Sequence, residues 1–429
     1  MDDRVLVAGM VAYMEEHLAE PIGTDELAIR SGYSTNRLRQ KFYNVTGETP
    51  SGYLRKRRLT EAAKEILAGG RPIEVALKYG YSSQDNFITA FRSYFGITPS
   101  EIARVEDKYK RFIRRLREAY TIMEIANLQQ PPFNSTLMGC LKGAADCFDL
   151  DYSTPMLYGL SGFAFLVNIH KDLCPSGPYV WNMTRFRALL DGLGIATPAV
   201  YDVNRRTPEP ERLRTEKLLK EHLDAGELCM LDFMEHQLVG GYDEKGFLLL
   251  QPWNCKAGSE IKELTFGTWE QCLDKEGWAH FTVLSRKPVG GSETEAARDA
   301  LAYALELLEN PEPYEVKDYR IGRAAYDTWI SCLERGLGTG HGHWWNAMVW
   351  SECRDMAAAF FRELGELTDS PEAKKGCDGL ADLYKKIAED LQLLTDRKLA
   401  APQQLTLLRD ARDAEASAPG MIRELRGAL

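Results

Sequence analysis

Residues 32–34 read Gly-Tyr-Ser and residues 80–82 read Gly-Tyr-Ser again. The run Phe42, Gly47, Thr49, Pro50, Ser51 returns as Phe91, Gly96, Thr98, Pro99, Ser100. The second set recurs at an offset of 49 residues, and one residue inserted in the second copy accounts for the offset of 48 at Gly-Tyr. Matches held in register over such a period mean that one supersecondary unit is present twice, and a fold for the first hundred residues must be built from two equivalent halves.

Each copy carries the signals of two helices joined by a tight turn. In the first, Thr24 is expected to cap a helix whose opening turn holds Asp25 and Glu26 and whose Leu27 and Ala28 face inward. Gly32 supplies the left-handed residue of the turn. Ser34 opens a second helix with Leu38 and Phe42 four apart on its buried side, which leaves Asn36, Arg37, Arg39 and Gln40 in solvent. These are side-chain types that read base edges. In the second copy Pro72 starts a helix expected to bury Ile73, Ala76 and Leu77, and Gly80 turns the chain. Ser82 or Ser83 caps a last helix that buries Phe87 and Phe91 and exposes Gln84, Asp85, Asn86 and Thr89. Between the copies, Thr49-Pro50 opens a long helix to about Leu67, closed by Gly69-Gly70. Such a spacer suits two reading helices placed in successive major-groove segments, about 34 Å apart.

On Gly32-Tyr33-Ser34, Phe42, Gly47-x-Thr49-Pro50, Gly80-Tyr81, Phe87, Phe91 and Phe95-Gly96-Ile97-Thr98-Pro99, the chain resembles the AraC/XylS family of bacterial transcription regulators over residues 5–104. The resemblance implies double-stranded promoter DNA as partner, with RNA polymerase beyond it, and a monomer or homodimer. It implies Asn36, Arg37, Arg39, Gln40, Gln84, Asp85, Asn86 and Thr89 as the base-facing set, and Ser34, Arg55, Arg58 and Ser83 at phosphates. Thr89 stands where many members carry a basic residue, and Asp85 meets phosphates badly, so the second helix is expected to add less affinity.

Charge is distributed accordingly. The 429-residue chain has a formal net charge of -10, which as an average argues against nucleic acid. Residues 1–120, however, hold 20 Lys and Arg against 16 Asp and Glu, with clusters at Arg55–Arg58 and at Lys108, Lys110, Arg111, Arg114, Arg115 and Arg117. The second cluster lies on an expected basic connector helix, residues 106–128, with Tyr109, Phe112, Leu116 and Tyr120 as its apolar stripe. No apolar stretch approaches the roughly 18 residues of a membrane helix, and the N-terminus lacks a signal-peptide layout, so a cytoplasmic protein without membrane contact is expected. Nine cysteines without a Cys-x-x-Cys pair, and His341 and His343 two apart, point to reduced thiols and to no metal or cofactor.

The expected architecture is multidomain: an all-α double helix-turn-helix over 1–105, the connector, an α+β domain over 129–290 and a helical region over 291–429 packing on it. Strand-like runs at Leu228–Met234, Gln237–Gly241, Phe247–Leu250 and His280–Leu284 suit a small antiparallel sheet. His236 to Asp243 followed by Leu248 to Pro252 resembles the His-x-Val-x-x-Gly-Tyr-Asp and Asp-Pro strands of papain-like double-glycine peptidases. Pro155 to Phe163 resembles the Gly-Leu-Gly-Gly region of butirosin-type aminoacyl transferases. Catalysis there needs a thiolate at a helix start, activated by an oriented histidine. The chain reads Asn134-Ser135-Thr136 at the nucleophile's place and Gln251 at the orienting acid's, while His236 remains and Cys140 falls inside a helix. A degenerate papain-like domain with its site turned into a small-molecule effector pocket is the leading expectation, with Tyr158, Phe163, His236, Tyr242 and Trp253 as walls. The alternatives are a bifunctional chain retaining acyltransferase or hydrolase activity, including a Ser135–His236 pair, and a regulator that docks proteins without a ligand.

Overall fold

The computed structural model describes all residues except 1–2, 47, 68, 82, 96–97, 103–127, 234, 243–245, 253–262 and 266–277. The expected connector helix, apart from Leu128, and Trp253 lie outside the described residues. The chain divides into two compact units, one comprising Met1–Leu128 with Gly240–Leu248 and Glu263–Phe266, the other Gln129–Val239, Leu249–Lys262 and Gly267–Leu429.

The first unit begins with α1 (Asp3–Glu16), α2 (Thr24–Ser31), α3 (Thr35–Thr46), α4 (Pro50–Leu67), α5 (Pro72–Lys78), α6 (Gln84–Phe95) and α7 (Pro99–Ile102). Two apolar clusters form along α4. Leu54 joins Met10, Met14, Leu27, Leu38 and Phe42 in the first, and Leu59, Ala62, Ala63 and Ile66 join Val75, Ala76, Phe87 and Phe91 in the second. An 18-residue helix spans about 27 Å, so α4 carries one half-core near its start and the other towards its end. Polar ties fix α1 to it: the Arg57 guanidinium donates twice to the Glu15 carboxylate, each at 2.7 Å, and the Tyr53 hydroxyl donates to the same carboxylate at 3.0 Å.

Two local expectations are corrected. Thr24 is the first residue of α2 rather than its cap; Gly23 holds that position with extended backbone and no side-chain cap. In α5, Ile73 and Leu77 are 49% and 64% exposed, and the buried stripe is Val75, Ala76 and Tyr79. The four-residue step from Val75 to Tyr79, not that from Ile73 to Leu77, faces α4 and α6 in the second core. Gly32 (φ 69°) and Gly80 (φ 81°) adopt the left-handed conformation expected of both turns.

The remaining elements are α8 (Thr136–Cys147), α9 (Thr154–Leu160), β1 (Asn168–His170), α10 (Thr184–Gly192), β2 (Ile195–Ala196), β3 (Val200–Asn204), α11 (Glu209–Asp224), β4 (Leu228–Phe233), β5 (Glu235–Tyr242), β6 (Gly246–Leu249), β7 (Glu263–Thr265) and β8 (Trp278–Arg286). There follow α12 (Glu293–Glu309), β9 (Tyr319–Ile321), α13 (Arg323–Glu334), α14 (His341–Leu367), α15 (Pro371–Leu393), α16 (Ala401–Glu415) and α17 (Ala418–Ala428). Strand β8 is the spine of an antiparallel sheet: it pairs with β4 along one edge and with β3 and β2 along the other, and β4 pairs on with β5. A separate two-stranded ladder joins β1 to β9.

Helix α8 is buried on nearly every side and starts beside β5, where Gln130 Nε2 donates to the His236 carbonyl and the Leu238 N–H donates back to Gln130 Oε1. A Cβ at Gly143 would stand 2.0 Å from the Gln129 carbonyl, so only glycine fits where the incoming chain crosses this helix. The C-terminal helices share one core with the segment around β1. Phe165 packs on Phe360, Phe361 and Tyr384, and the buried Arg354 of α14 donates to the Ala164 and Leu166 carbonyls at 2.9 and 2.8 Å. Its guanidinium also pairs with Glu415 of α16 at 2.6 Å, both side chains being almost wholly buried.

Burial pushes the His343 imidazole down to about 4, and the ring is held neutral as an acceptor from the Trp329 indole N–H at 3.0 Å. A group whose folded value lies below its unfolded one, near 6.5, favours the fold above that unfolded value and loses this favour as pH falls towards 4. The full difference is about 3 kcal/mol, of which about 2 kcal/mol is gone at pH 5. Urea unfolding of the chain and of His343→Leu at pH 7.5 and 5 should therefore show a steeper acid loss in the unaltered protein. Parallel losses in both would refute the assignment.

Candidate nucleic-acid interface and ligand cavity

On α3, Leu38 and Phe42 are fully buried, and the helix phase this sets leaves Asn36, Arg37, Arg39 and Gln40 exposed. On α6, Phe87 and Phe91 are equally buried and Gln84, Asp85, Asn86 and Thr89 are exposed. Each expected base-facing set thus occupies the outer face of one helix, four residues on each. Arg37 lies over the Tyr33 ring, 5.4 Å from its centroid. Ser34 is exposed just before α3, its carbonyl accepting from the Leu38 N–H at 2.9 Å, and Ser83 Oγ caps α6 by accepting from the Asn86 N–H at 3.2 Å.

The four residues expected at phosphates differ in freedom. Arg55 is exposed. Arg58 is half-buried, with Nε donating to the Leu18 carbonyl at 2.8 Å and Nη2 to that of Glu20, so two of its donor groups hold the segment between α1 and α2. Both arginines line a groove of about 230 Å³ together with Thr24, Ser51 and Tyr81, where the starts of α2 and α4 meet the second turn.

In the second unit a cleft of about 400 Å³ opens on the sheet. Leu137 and Leu141 of α8, Trp181, and Phe186 and Arg187 of α10 form one side. The other is a row across four strands: Asp202 of β3 stands opposite His280 of β8, His280 opposite Asp232 of β4, and Asp232 opposite His236 of β5. Directly opposed residues share a face, so all four line the cleft. His280 Nδ1 is 2.6 Å from an Asp202 oxygen, and His236 Nε2 is 3.6 Å from Asp232, beyond a hydrogen bond. Burial pushes the His236 imidazole down and outweighs the opposing pull of Asp232. Among the described residues no group of three or more His, Cys, Asp or Glu is placed to hold a metal ion.

A family model described as a helix-turn-helix domain matches residues 27–104. The regulatory protein SoxS of Escherichia coli K12 is 38% identical over 102 residues, which are 24% of this chain and 95% of SoxS. The chain belongs to the AraC family of helix-turn-helix DNA-binding transcription regulators. The right origin-binding protein of E. coli K12 is 36% identical over 101 residues, 23% of this AraC-family chain and 35% of that protein, and the transcriptional regulator Rob of Salmonella typhimurium LT2 matches to the same extent. A solved AraC-type transcriptional regulator from Chromobacterium violaceum shares 29% identity, covers 24% of this chain and 91% of its own, and superposes with a TM-score of 0.23.

Beyond the AraC-type domain, two of the expected effector walls, Tyr158 and Phe163, meet with ring centroids 6.1 Å apart. Among the described expected walls, only His236 lines the cleft. Tyr158 is buried with its hydroxyl donating to Glu352 at 2.6 Å, and Phe163 packs among Trp181, Phe186 and Trp350 in the core. Tyr242 is buried edge-on against Phe247. Sequence reasoning missed Asp202, Asp232 and His280, whose common signal is strand register, which no local pattern carries. No described helix is long and apolar enough to cross a membrane.

Proposed function

We propose that this AraC-family chain reads promoter DNA with the outer faces of α3 and α6, and that a small effector bound in the sheet cleft of the second unit controls that binding. The observation that carries the first part is the matched exposure of four polar side chains on each reading helix, over a buried phenylalanine pair in α6 and a Leu38–Phe42 pair in α3. Arg55, Ser34, Ser83 and the remaining donors of Arg58 serve phosphates, which fix register without reading sequence. Output passes to RNA polymerase, with the chain acting as a monomer or homodimer. Control by the effector requires that it bind the DNA-competent and incompetent states unequally.

The start of α8 supports sensing over catalysis. The Asn134 and Ser135 N–H groups donate to the Glu352 carboxylate at 2.8 and 3.1 Å, and Ser135 Oγ accepts from the Met138 N–H as the helix cap. The Cys140 thiol is fully buried and pushed up by that burial and by the Asp232 and Glu235 carboxylates. A papain-like reading of this domain rests on the same juxtaposition, since the His236 N–H donates to Thr136 Oγ1 at 3.0 Å beside the helix start.

Fluorescence anisotropy of the full chain on its own upstream DNA and on random DNA, across a salt series, tests the DNA part. Selective binding is expected in the unaltered protein. Arg55→Ala should weaken both DNAs alike and flatten the plot of log K against log salt by about 0.9. Equal affinity of the unaltered chain for both DNAs would overturn the reading.

A further inference from the structure

The row on the cleft floor runs from solvent to interior: the side chains of Asp202, His280, Asp232 and His236 are 75%, 26%, 22% and 3% exposed in that order. At the mouth, Asp202 and His280 satisfy each other at 2.6 Å. Deeper in, that balance fails. Asp232 has a carboxylate 3.6 Å from a buried imidazole, too far to accept a hydrogen bond from it. The other ring nitrogen, His236 Nδ1, is buried with no hydrogen-bond partner among the described residues. A buried polar atom left without a partner is costly, and native sites that hold one commonly receive the partner from a ligand or water. Around this pair the lining combines Trp181 and Phe186 on one side and Trp278 and Met230 on the sheet with the polar Asn182, Thr184 and Thr282.

We propose that the effector is an organic ammonium compound with a flat apolar body, its ammonium group donating to Asp232 and its body lying between Trp181 and Trp278. The inference rests on the reading of the cleft as the effector site and names its chemistry. An ammonium group supplies several donors and no acceptor, which answers a carboxylate that the neighbouring imidazole does not reach, and an aromatic wall favours a cation over an anion. Arg187, also on the cleft wall, is the group that would favour a carboxylate instead, so the two charge types make the decisive comparison.

The test is isothermal titration of the full chain with tryptamine and with indole-3-propionate, which share a ring and chain and differ in charge. Tryptamine should bind, indole-3-propionate should not, and Asp232→Asn should weaken tryptamine about 10- to 100-fold while leaving the melting temperature of the unliganded chain unchanged. His236→Gln provides a second variant with the same expected direction. Binding of indole-3-propionate as tightly as tryptamine, lost in Trp181→Ala, would overturn the ammonium chemistry and keep the cleft as the effector site. No binding of tryptamine, or binding indifferent to Asp232→Asn and His236→Gln, would overturn the proposal, while selective promoter binding would still stand on its own measurement.

Discussion

Exchanging Asn36, Arg39 and Gln40 together for alanine should reduce affinity for the specific site by at least about 100-fold while leaving random DNA bound almost as before, since each base-edge contact contributes about 1–3 kcal/mol of discrimination. The three side chains are exposed on the outer face of α3, and none belongs to the Leu38–Phe42 core. The variant should therefore keep its helicity and its melting transition, which separates lost reading from lost folding. The matching set on α6 should cost less, because it includes Asp85, whose negative charge is unfavourable beside phosphates. Competition anisotropy with specific and random duplexes measures both numbers, and an equal drop on the two DNAs would refute base reading by α3.

Removing one partner of the Arg354–Glu415 pair should destabilise the second unit by about 3–5 kcal/mol, the usual penalty for leaving an unmatched charge inside a protein. In Arg354→Met the Glu415 carboxylate loses its counter-charge, and the Ala164 and Leu166 carbonyls lose a donor at the same time. The double change Arg354→Met with Glu415→Leu should recover part of the loss, because it removes both desolvated charges. Calorimetric melting of the four proteins forms a double-mutant cycle. A loss under about 1 kcal/mol in Arg354→Met would show that water reaches the pair.

Much of the first unit was legible because its signals are local. A left-handed glycine, a phenylalanine four residues from another buried side chain and a proline at a helix start need no distant partner to be read. The same reasoning misplaced Ile73 and Leu77, since α5 has seven residues and its apolar positions fit two stripes equally well. Only the shared core with α4 and α6 decides between them. In the second unit the main strands stood out as runs, whereas β1 and β9, three residues each, could not. The cleft was missed for a related reason. Aromatic residues drew attention to Tyr158 and Phe163, which fill the core, while the groups that meet in the cleft belong to four strands and are joined only by register.

The Glu352 carboxylate is seated at the start of α8. The amides of Asn134 and Ser135 already donate to its two oxygens, so a tetrahedral oxyanion forming beside His236 would find them taken. Installing a sulfur nucleophile at position 135 would leave it facing an occupied cradle. Acyl chemistry here would first require evicting a side chain that α14 supplies from more than two hundred residues downstream.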